Sequence, residues 1–508
     1  MKHICTALVI LISINLPAQD KTQAYFDTLH QHQLFHGNIL LAQQEKVVYR
    51  YSGGYANERA HQPNQTQTRF NLASISKVFT STAILQLRDK GKLQLEDDVR
   101  LYFPDFPFPG VRIRHLLTHT AGLPNLELTG DVVKQYPDTV ITNAVLMQLL
   151  KQWGKPLYFT PGEEYRYCNT GYMLLAMIVE KQSRMPFAAY LDKYIFKPAG
   201  MKNTYLAVYG SPSWQDTARA VHQVMPFLFD SVYTPVDEIK RYRFSEYNNQ
   251  AAYGSSNIIS TVEDILKFDA AFFGYKLLRA SSVAEAITPL RLNNGKLVRE
   301  QMDTMLGEGD GYYGLGWEIF EQPGFGKGVG HGGYKFGMAT FYYRNLDKQQ
   351  VIVSFMNGNS RLGDVVTSGL YLLNGLPAIK PDIKRSAVRA YAQALISKGP
   401  DHAAAMLQLY RADSSHYYFS DKEMNFLGYD FLYQASFTGH QQLSLETFKL
   451  NTFIVPGDFN VYDSYGEALM ESGNKEDAVH MYKRSLELNP QNQGGIKALE
   501  RIGSMPGA

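Results

Sequence analysis

The sequence predicts a mixed α/β protein of α+β layout: an antiparallel sheet built from both ends of a first domain, with a helical region inserted, and then an α-helical tail. Three observations carry this. Strand-like patterns lie near the start, in GNILLAQQEKVVYRYSGGY (37–55), and return only from 313 onward, in YGLGWEIFE, KFGMATFYYR and QQVIVSFMNG. The stretch from 115 to 200 reads as mainly helical, punctuated by Pro and Gly at GLP and TPGEE. Beyond the Pro-punctuated NGLPAIKPDIK the chain turns helical, and Pro456 and Pro490 stand 34 residues apart.

Taken in order, the first residues, MKHICTALVILISINLPAQD, have the layout of a secretory signal: Lys2, an apolar stretch from Ile4 to Leu16, then the small residue Ala18. That stretch is shorter than the roughly 20 residues that cross a bilayer. Cys5 lies too early to be a lipid-attachment cysteine, and cleavage at Ala18 leaves Cys168 alone, hence no internal disulfide. A secreted or periplasmic protein with no integral membrane segment after cleavage is expected. Residues 37–55 place Val and Ile as a pleated hairpin wants them. In FNLASISKVFTSTAILQLRDKG (70–91), Val78, Ile84, Leu85 and Leu87 share one side of a helix that Gly91 ends. The expected division is a signal segment at 1–18, a first domain at 20–375, a linker at 376–384 and a helical tail at 385–508.

The tail carries a repeat. Tyr462, Tyr465, Gly466, Leu469, Ala478, Tyr482 and Pro490 follow tetratricopeptide spacing, and Gly428, Phe431, Ser444, Phe448 and Pro456 follow the same order with a longer turn. The repeats fall at about 421–456 and 459–490. One repeat cannot bury its apolar face, so helices from 385 to 440 and one near GGIKALERI are expected to complete a small domain. Such repeats would serve a protein partner; the plainer alternative is a tail that only packs on the first domain.

Lys plus Arg number 50 against 48 for Asp plus Glu, with no basic run, so the footprint of a nucleic-acid or anionic-membrane binder is missing. The partner is a small molecule, a peptide or a protein.

Ser74 and Lys77 lie one helical turn apart. A serine hydroxyl is a poor nucleophile until a base takes its proton, and a lysine can be that base only where burial makes its amine neutral. The spacing is not specific: Ser472 and Lys475 repeat it in a Gly-containing turn, where both should be solvated. A Tyr-x-Asn could supply a relaying phenol and an amide ligand, and the chain has four, at Tyr55, Tyr167, Tyr247 and Tyr343. The Tyr343 pair ends a strand and the Tyr55 pair leaves a hairpin. Tyr167 precedes an apolar helix, so its phenol can project into a cleft. In GVGHGGYKFGMATFYYR, glycines at 330, 332 and 333 bare a strand face and free N–H groups for an oxyanion.

The order Ser74-x-x-Lys77, Tyr167-Cys168-Asn169, His331-Gly332-Gly333 resembles the serine β-lactamase and penicillin-binding superfamily. IRHLLTHTAGLPN, TPGEEYRYCNTGYMLL and KPAGMKNTYL resemble its class C branch, with D-alanyl-D-alanine peptidase and esterase relatives, over roughly residues 25 to 365. The resemblance implies a β-lactamase/transpeptidase-like fold, Ser74 as acylated nucleophile, Lys77 as base or relay and Tyr167 as relay to the leaving group. It makes Asn169 a substrate-amide ligand, places His331, Gly332 and Gly333 along the substrate, and puts the oxyanion between the N–H groups of Ser74 and Tyr334. No cofactor or metal is implied. One departure stands out: these enzymes have Lys-Thr-Gly where this chain has His-Gly-Gly, an imidazole with a reference pKa of about 6.5 that gains charge as pH falls. Lys335, of the same strand parity, is a candidate to restore charge.

His115 and His119 stand four apart, as two metal ligands on a helix could, but a zinc protease would have Glu where Leu116 stands; a structural turn is the alternative. Cys168 reads as a buried small residue more than as a nucleophile. The expected function is an exported serine hydrolase working through an acyl-enzyme on D-amino-acid peptides, β-lactams or small esters. Its rival is a catalytically silent relative that binds cell-wall peptide, or a protein through its repeats.

Overall fold

A computed structural model describes residues 16–249, 251–300, 309–358 and 361–503. Most of the expected signal segment lies outside them. The chain forms two compact units, Met1–Val224 with Thr234–Pro381, and Met225–Tyr233 with Asp382–Ala508.

In the first unit, eight strands among the described residues form one antiparallel sheet: β1 (Gly37–Gln43), β2 (Lys46–Gly53), β3 (Arg299–Glu300), β4 (Asp310–Tyr313), β5 (Glu318–Gln322), β6 (Gly326–Lys335), β7 (Met338–Asn345) and β8 (Gln350–Asn357). Their order is β3-β4-β5-β6-β7-β8-β1-β2, so the two ends of the unit meet where β1 pairs with β8, Leu40 opposite Val353. The sheet is thus assembled from both ends around a helical insertion, as the sequence predicts. Successive side chains point to opposite faces, and both faces are buried. Leu40, Val353 and Phe355 join one apolar cluster, and Ile39, Leu41, Ile352 and Met356 another. This is why the central strands read as unbroken apolar runs. Phe26 and Leu29 of α1 (Leu16–Gln31) cover the second face with Val365, Val366 and Leu370 of α5 (Leu362–Leu373). α2 (Ser76–Asp89), α3 (Asn169–Ser183) and α4 (Val262–Phe273) cover the first. Each fully buried large apolar side chain is worth about 1.5–3 kcal/mol.

The expectation of a one-sided α2 needs correction. Every residue from Ser76 to Leu87 is buried. Its polar side chains can go inside because they have partners: Thr80 donates to the Gly254 carbonyl at 2.6 Å, and Gln86 to those of Tyr194 and Leu277 at 3.0 and 3.1 Å. Gly91, at φ 65°, ends the helix in the left-handed region.

β6 positions the site. It pairs with β5 only up to Gly330, opposite Glu318, but with β7 from Gly328 through Lys335. From His331 to Lys335 one edge is left beyond that pairing. Gly333 lies against the turn before α2, where an added Cβ would sit 2.4 Å from the Leu72 carbonyl oxygen and 3.1 Å from the Ala73 Cβ. We therefore expect Gly333→Ala to push β6 away from Ser74, at about 1–3 kcal/mol. A melting curve matching wild type would refute this packing.

The second unit is helical: α6 (Ala387–Lys398), α7 (Pro400–Ala412), α8 (Asp421–Tyr429), α9 (His440–Ile454), α10 (Phe459–Glu471), α11 (Lys475–Leu488) and α12 (Gln493–Gly503). Ser386, Ser420 and Asp458 cap α6, α8 and α10 by accepting first-turn N–H groups. Two helix pairs close on the same small-against-aromatic contact. A Cβ on Gly428 would fall 2.5 Å from the Phe448 ring, and one on Gly466 3.1 Å from the Tyr482 ring.

The expected division put all of 20–375 in one domain, yet 225–233 packs in the helical unit. Phe227, Leu228 and Phe229 are consecutive apolar residues in a loop and need cover. Phe229 stacks on Phe431 with ring centroids 5.3 Å apart, the Leu228 N–H donates to Asp430 at 2.8 Å, and Arg389 donates to the Phe227 carbonyl at 3.0 Å. A chain ending at 381 should therefore be poorly soluble, and Leu228→Ser with Phe229→Ser should restore it. Full solubility of the unmodified truncation, by sedimentation, would show that these contacts are dispensable.

Candidate active site

Ser74 sits in a short 3₁₀ turn, Ala73–Ile75, immediately before α2. Ala73 has φ 47°, a costly conformation for a residue with a Cβ, and its N–H is held by the Asn71 side chain at 2.9 Å. The turn presents half-buried Ser74 to two cavities. The larger, about 880 Å³, is lined by Ser74, Tyr167, Asn169, Glu318, Gly332, Tyr334 and Arg361 among others. The smaller, about 170 Å³, is lined by Ser74, Asn169, Asn249, Ser255, Tyr334 and Lys335 among others.

One turn on, Lys77 is fully buried, and its Nζ donates to Ser74 Oγ at 2.9 Å and to the Ser255 carbonyl at 3.1 Å. Burial pulls the amine down to about 7, while the charge of Glu318 opposes the shift. Near neutral pH a large share of Lys77 is thus an uncharged base in contact with the serine hydroxyl. Its Nζ lies 4.7 Å from the centre of the Tyr167 ring. Asn169 opens α3, its N–H held by Asn125 Oδ1 at 3.1 Å. Sequence-distant Ser74, Lys77, Tyr167, Asn169, Gly332, Gly333 and Tyr334 therefore meet in one place.

His331 belongs beneath that place and not in it. Only 1% exposed, its ring lines neither cavity; burial and the neighbouring Lys77 amine bring its pKa down to about 3. The expectation of a substrate-facing imidazole that charges as pH falls is corrected: strand parity puts residue 331 on the α2 side, under Lys77, where a cation is desolvated. Lys335, of the same parity, does reach the smaller cavity, with its Nζ 3.2 Å from Asn257 Oδ1.

Several neighbours have no spacing signal in the sequence. Glu318 lines the larger cavity and accepts the Gly332 N–H at 2.9 Å. Tyr313 bridges His119 and His331, 3.1 Å from Nε2 of each. The two histidines weighed as metal ligands face protein groups: His115 Nδ1 accepts the Arg112 N–H at 3.2 Å, and His119 Nδ1 that of Cys168 at 3.1 Å. Cys168 is buried with Sγ 3.6 Å from the carbonyls of Leu123 and Pro124, and burial pushes its thiol pKa up, which disarms it as a nucleophile. The decoy serine, Ser472, lies in an exposed turn with its hydroxyl on the Ala468 carbonyl at 2.8 Å.

This fold, with a serine and a buried lysine at the head of its central helix, defines a serine hydrolase of the β-lactamase type. The β-lactamase family model matches residues 22–374, and the chain belongs to that family. It is 33% identical over 342 residues to Penicillin-binding protein 4* of Bacillus subtilis (strain 168), covering 66% of this chain and 71% of the relative. The crystal structure of a penicillin binding protein from Bacillus halodurans is similar at TM-score 0.56 and 26% identity, over 67% of this chain and 97% of that one. The D-amino acid amidase of Ochrobactrum anthropi SV3, complexed with D-phenylalanine, shares the fold at TM-score 0.58 and 21% identity, over 70% and 99%.

Proposed function

We propose that the protein is an exported serine hydrolase that forms an acyl-enzyme on Ser74 and cleaves amide or ester bonds in D-amino-acid peptides, β-lactams or small esters. The observation that carries this reading is the 2.9 Å contact between Ser74 Oγ and the amine of a fully buried Lys77 whose pKa falls to about 7. The neutral amine takes the Ser74 proton as Oγ bonds to the substrate carbonyl carbon. The oxyanion is received by the N–H groups of Ser74 and Tyr334. Collapse breaks the bond to the leaving group, which takes a proton delivered through Lys77 and Tyr167. Water, activated by the same groups, then hydrolyses the acyl-Ser74 ester and restores the hydroxyl.

The neutral His331 supplies no fixed charge for a substrate carboxylate, and Lys335, lining the smaller cavity beside Ser74, is the cation available there. We include the class C branch in the proposal on the motifs of the sequence. The leader-like start fits export to the periplasm or beyond; among the described residues no helix is long and apolar enough to cross a membrane. The paired Gly428–Phe448 and Gly466–Tyr482 contacts support tetratricopeptide-like repeats that receive a protein partner.

The test is incubation of the full chain with a fluorophosphonate, penicillin, nitrocefin, short-chain nitrophenyl esters and D-alanyl peptides, read by intact mass and product release. An adduct of acyl or phosphonyl mass is expected. Silence towards every compound would overturn the enzyme reading in favour of a binding role.

A further inference from the structure

Behind the cavities lie three side chains that line neither of them. Tyr313 is fully buried, and His119 and His331 are each 1% exposed. They form an unbroken row: Cys168 N–H to His119 Nδ1, His119 Nε2 to Tyr313 Oη, and Tyr313 Oη to His331 Nε2, each 3.1 Å. The row ends at His331 Nδ1, 2.5 Å from the Gly332 carbonyl oxygen and 3.4 Å from Glu318 Oε1.

The two ends fix where the protons lie. A backbone N–H only donates, so His119 Nδ1 facing Cys168 is bare and that ring carries its proton on Nε2. A carbonyl only accepts, so His331 carries its proton on Nδ1 and, as a neutral ring, leaves Nε2 bare. Tyr313 then accepts from His119 and donates to His331. Tyr172 also lies within hydrogen-bonding reach of Tyr313. Its own proton, however, goes to the Leu117 carbonyl at 2.7 Å, and a phenol oxygen is a weaker acceptor than an imidazole nitrogen. Every donor in the row thus meets an acceptor, as buried polar groups require.

The row joins two sequence-distant parts of the site. One end holds the backbone between Tyr167 and Asn169, and the His119 ring also packs on Tyr167 with centroids 4.2 Å apart. The other end holds Gly332, whose N–H is fixed by Glu318 at 2.9 Å and which is followed in the chain by Gly333 and Tyr334. We propose that His119, Tyr313 and His331 are positioning residues: a one-way hydrogen-bond chain that holds the two imidazoles as opposite neutral tautomers and sets the spacing between the Tyr167–Asn169 loop and the β6 edge. The catalytic consequence rests on the acyl-enzyme reading of Ser74; the proton arrangement does not. It also gives a reason for histidine at 331: a lysine ammonium only donates and cannot accept from Tyr313.

Two-bond ¹H–¹⁵N correlation spectra of the histidine-labelled full chain near neutral pH test the arrangement, with His119→Gln and His331→Asn used for assignment. His119 should appear as the Nε2–H tautomer and His331 as the Nδ1–H tautomer. Finding both in the same form, or either one cationic, would overturn the chain. Tyr313→Phe keeps the ring and removes the bridging oxygen. It should lower the maximal rate of fluorophosphonate labelling by about ten- to a hundredfold, the scale of a misplaced reacting group, with apparent probe affinity retained and the His331 Nε2 resonance shifting as that bare nitrogen loses its donor, while the Gly332 carbonyl keeps the proton on Nδ1. Labelling at the wild-type rate with the His331 Nε2 resonance unmoved would overturn the positioning role. A Tyr313→Phe chain that fails to fold leaves the wild-type spectrum to decide. Failure to label the wild-type chain at all would instead refute the Ser74 reading, and the tautomer measurement would still judge the row.

Discussion

A fluorophosphonate should modify the wild-type chain on the peptide that carries Ser74, and Ser74→Ala should abolish the adduct. The expected loss is more than about ten-thousandfold, the scale on which removal of a nucleophile acts. Other hydroxyls do not replace it, because reactivity depends on the neutral amine 2.9 Å from Oγ. Ser472 has the same spacing to Lys475, but both are exposed and the Ser472 hydroxyl is bound to its own helix. A charged, solvated lysine is no base. The substitution should leave folding intact, since Ala73 sets the turn and Lys77 keeps the Ser255 carbonyl as partner. Tandem mass spectrometry of the labelled peptides decides the matter. An adduct that survives in Ser74→Ala, on any residue, would sink the mechanism.

What the sequence could tell about this site follows from which interactions are local. Ser74 lies in the 3₁₀ turn that runs straight into the helix of Lys77, so their contact is written into a three-residue spacing. β7 and β8 are buried on both faces and announce themselves as apolar runs, which made the sheet legible at the far end of the unit. Glu318 and Tyr313 reach the site through strand pairing, 14 residues and more from the motif they serve, and nothing around them marks them out. The depth of His331 was hidden for a related reason. Alternation along a strand says which face a side chain takes, but not whether that face is open to a cleft or sealed by a helix. Here the face is sealed by Tyr313, Tyr167 and Lys77, and histidine becomes an interior group. The passage of 225–233 into the helical unit was equally silent, because Phe227, Leu228 and Phe229 show only that cover is needed, not where it is found.

Lys77→Met should cost at least about a hundredfold in acylation of Ser74, the usual worth of a general base, and should make the fold more stable at low pH, not less. Wild-type Lys77 holds its amine at about 7 in the folded chain, against 10.5 for an unperturbed lysine. Below about pH 7 the group is charged in both states, and the folded state carries the full penalty of a buried ammonium. Each pH unit of that displacement is worth about 1.4 kcal/mol, so the penalty is on the order of several kcal/mol. Between about pH 7 and pH 10 the unfolded chain binds more protons than the folded one, so wild-type stability rises with pH until the penalty is gone. Methionine fills a similar volume without charge and leaves the Ser255 carbonyl without its donor, a loss of about 1–3 kcal/mol. The balance favours the variant near pH 6, with a higher melting temperature than wild type, and the advantage should shrink and then reverse towards pH 10. The labelling rate of wild type should meanwhile climb with pH through about 7 as the amine loses its proton. A Lys77→Met chain that melts below wild type near pH 6 would show that Lys77 is not held at a cost. A wild-type labelling rate flat across this range would show that its deprotonation does not limit the reaction.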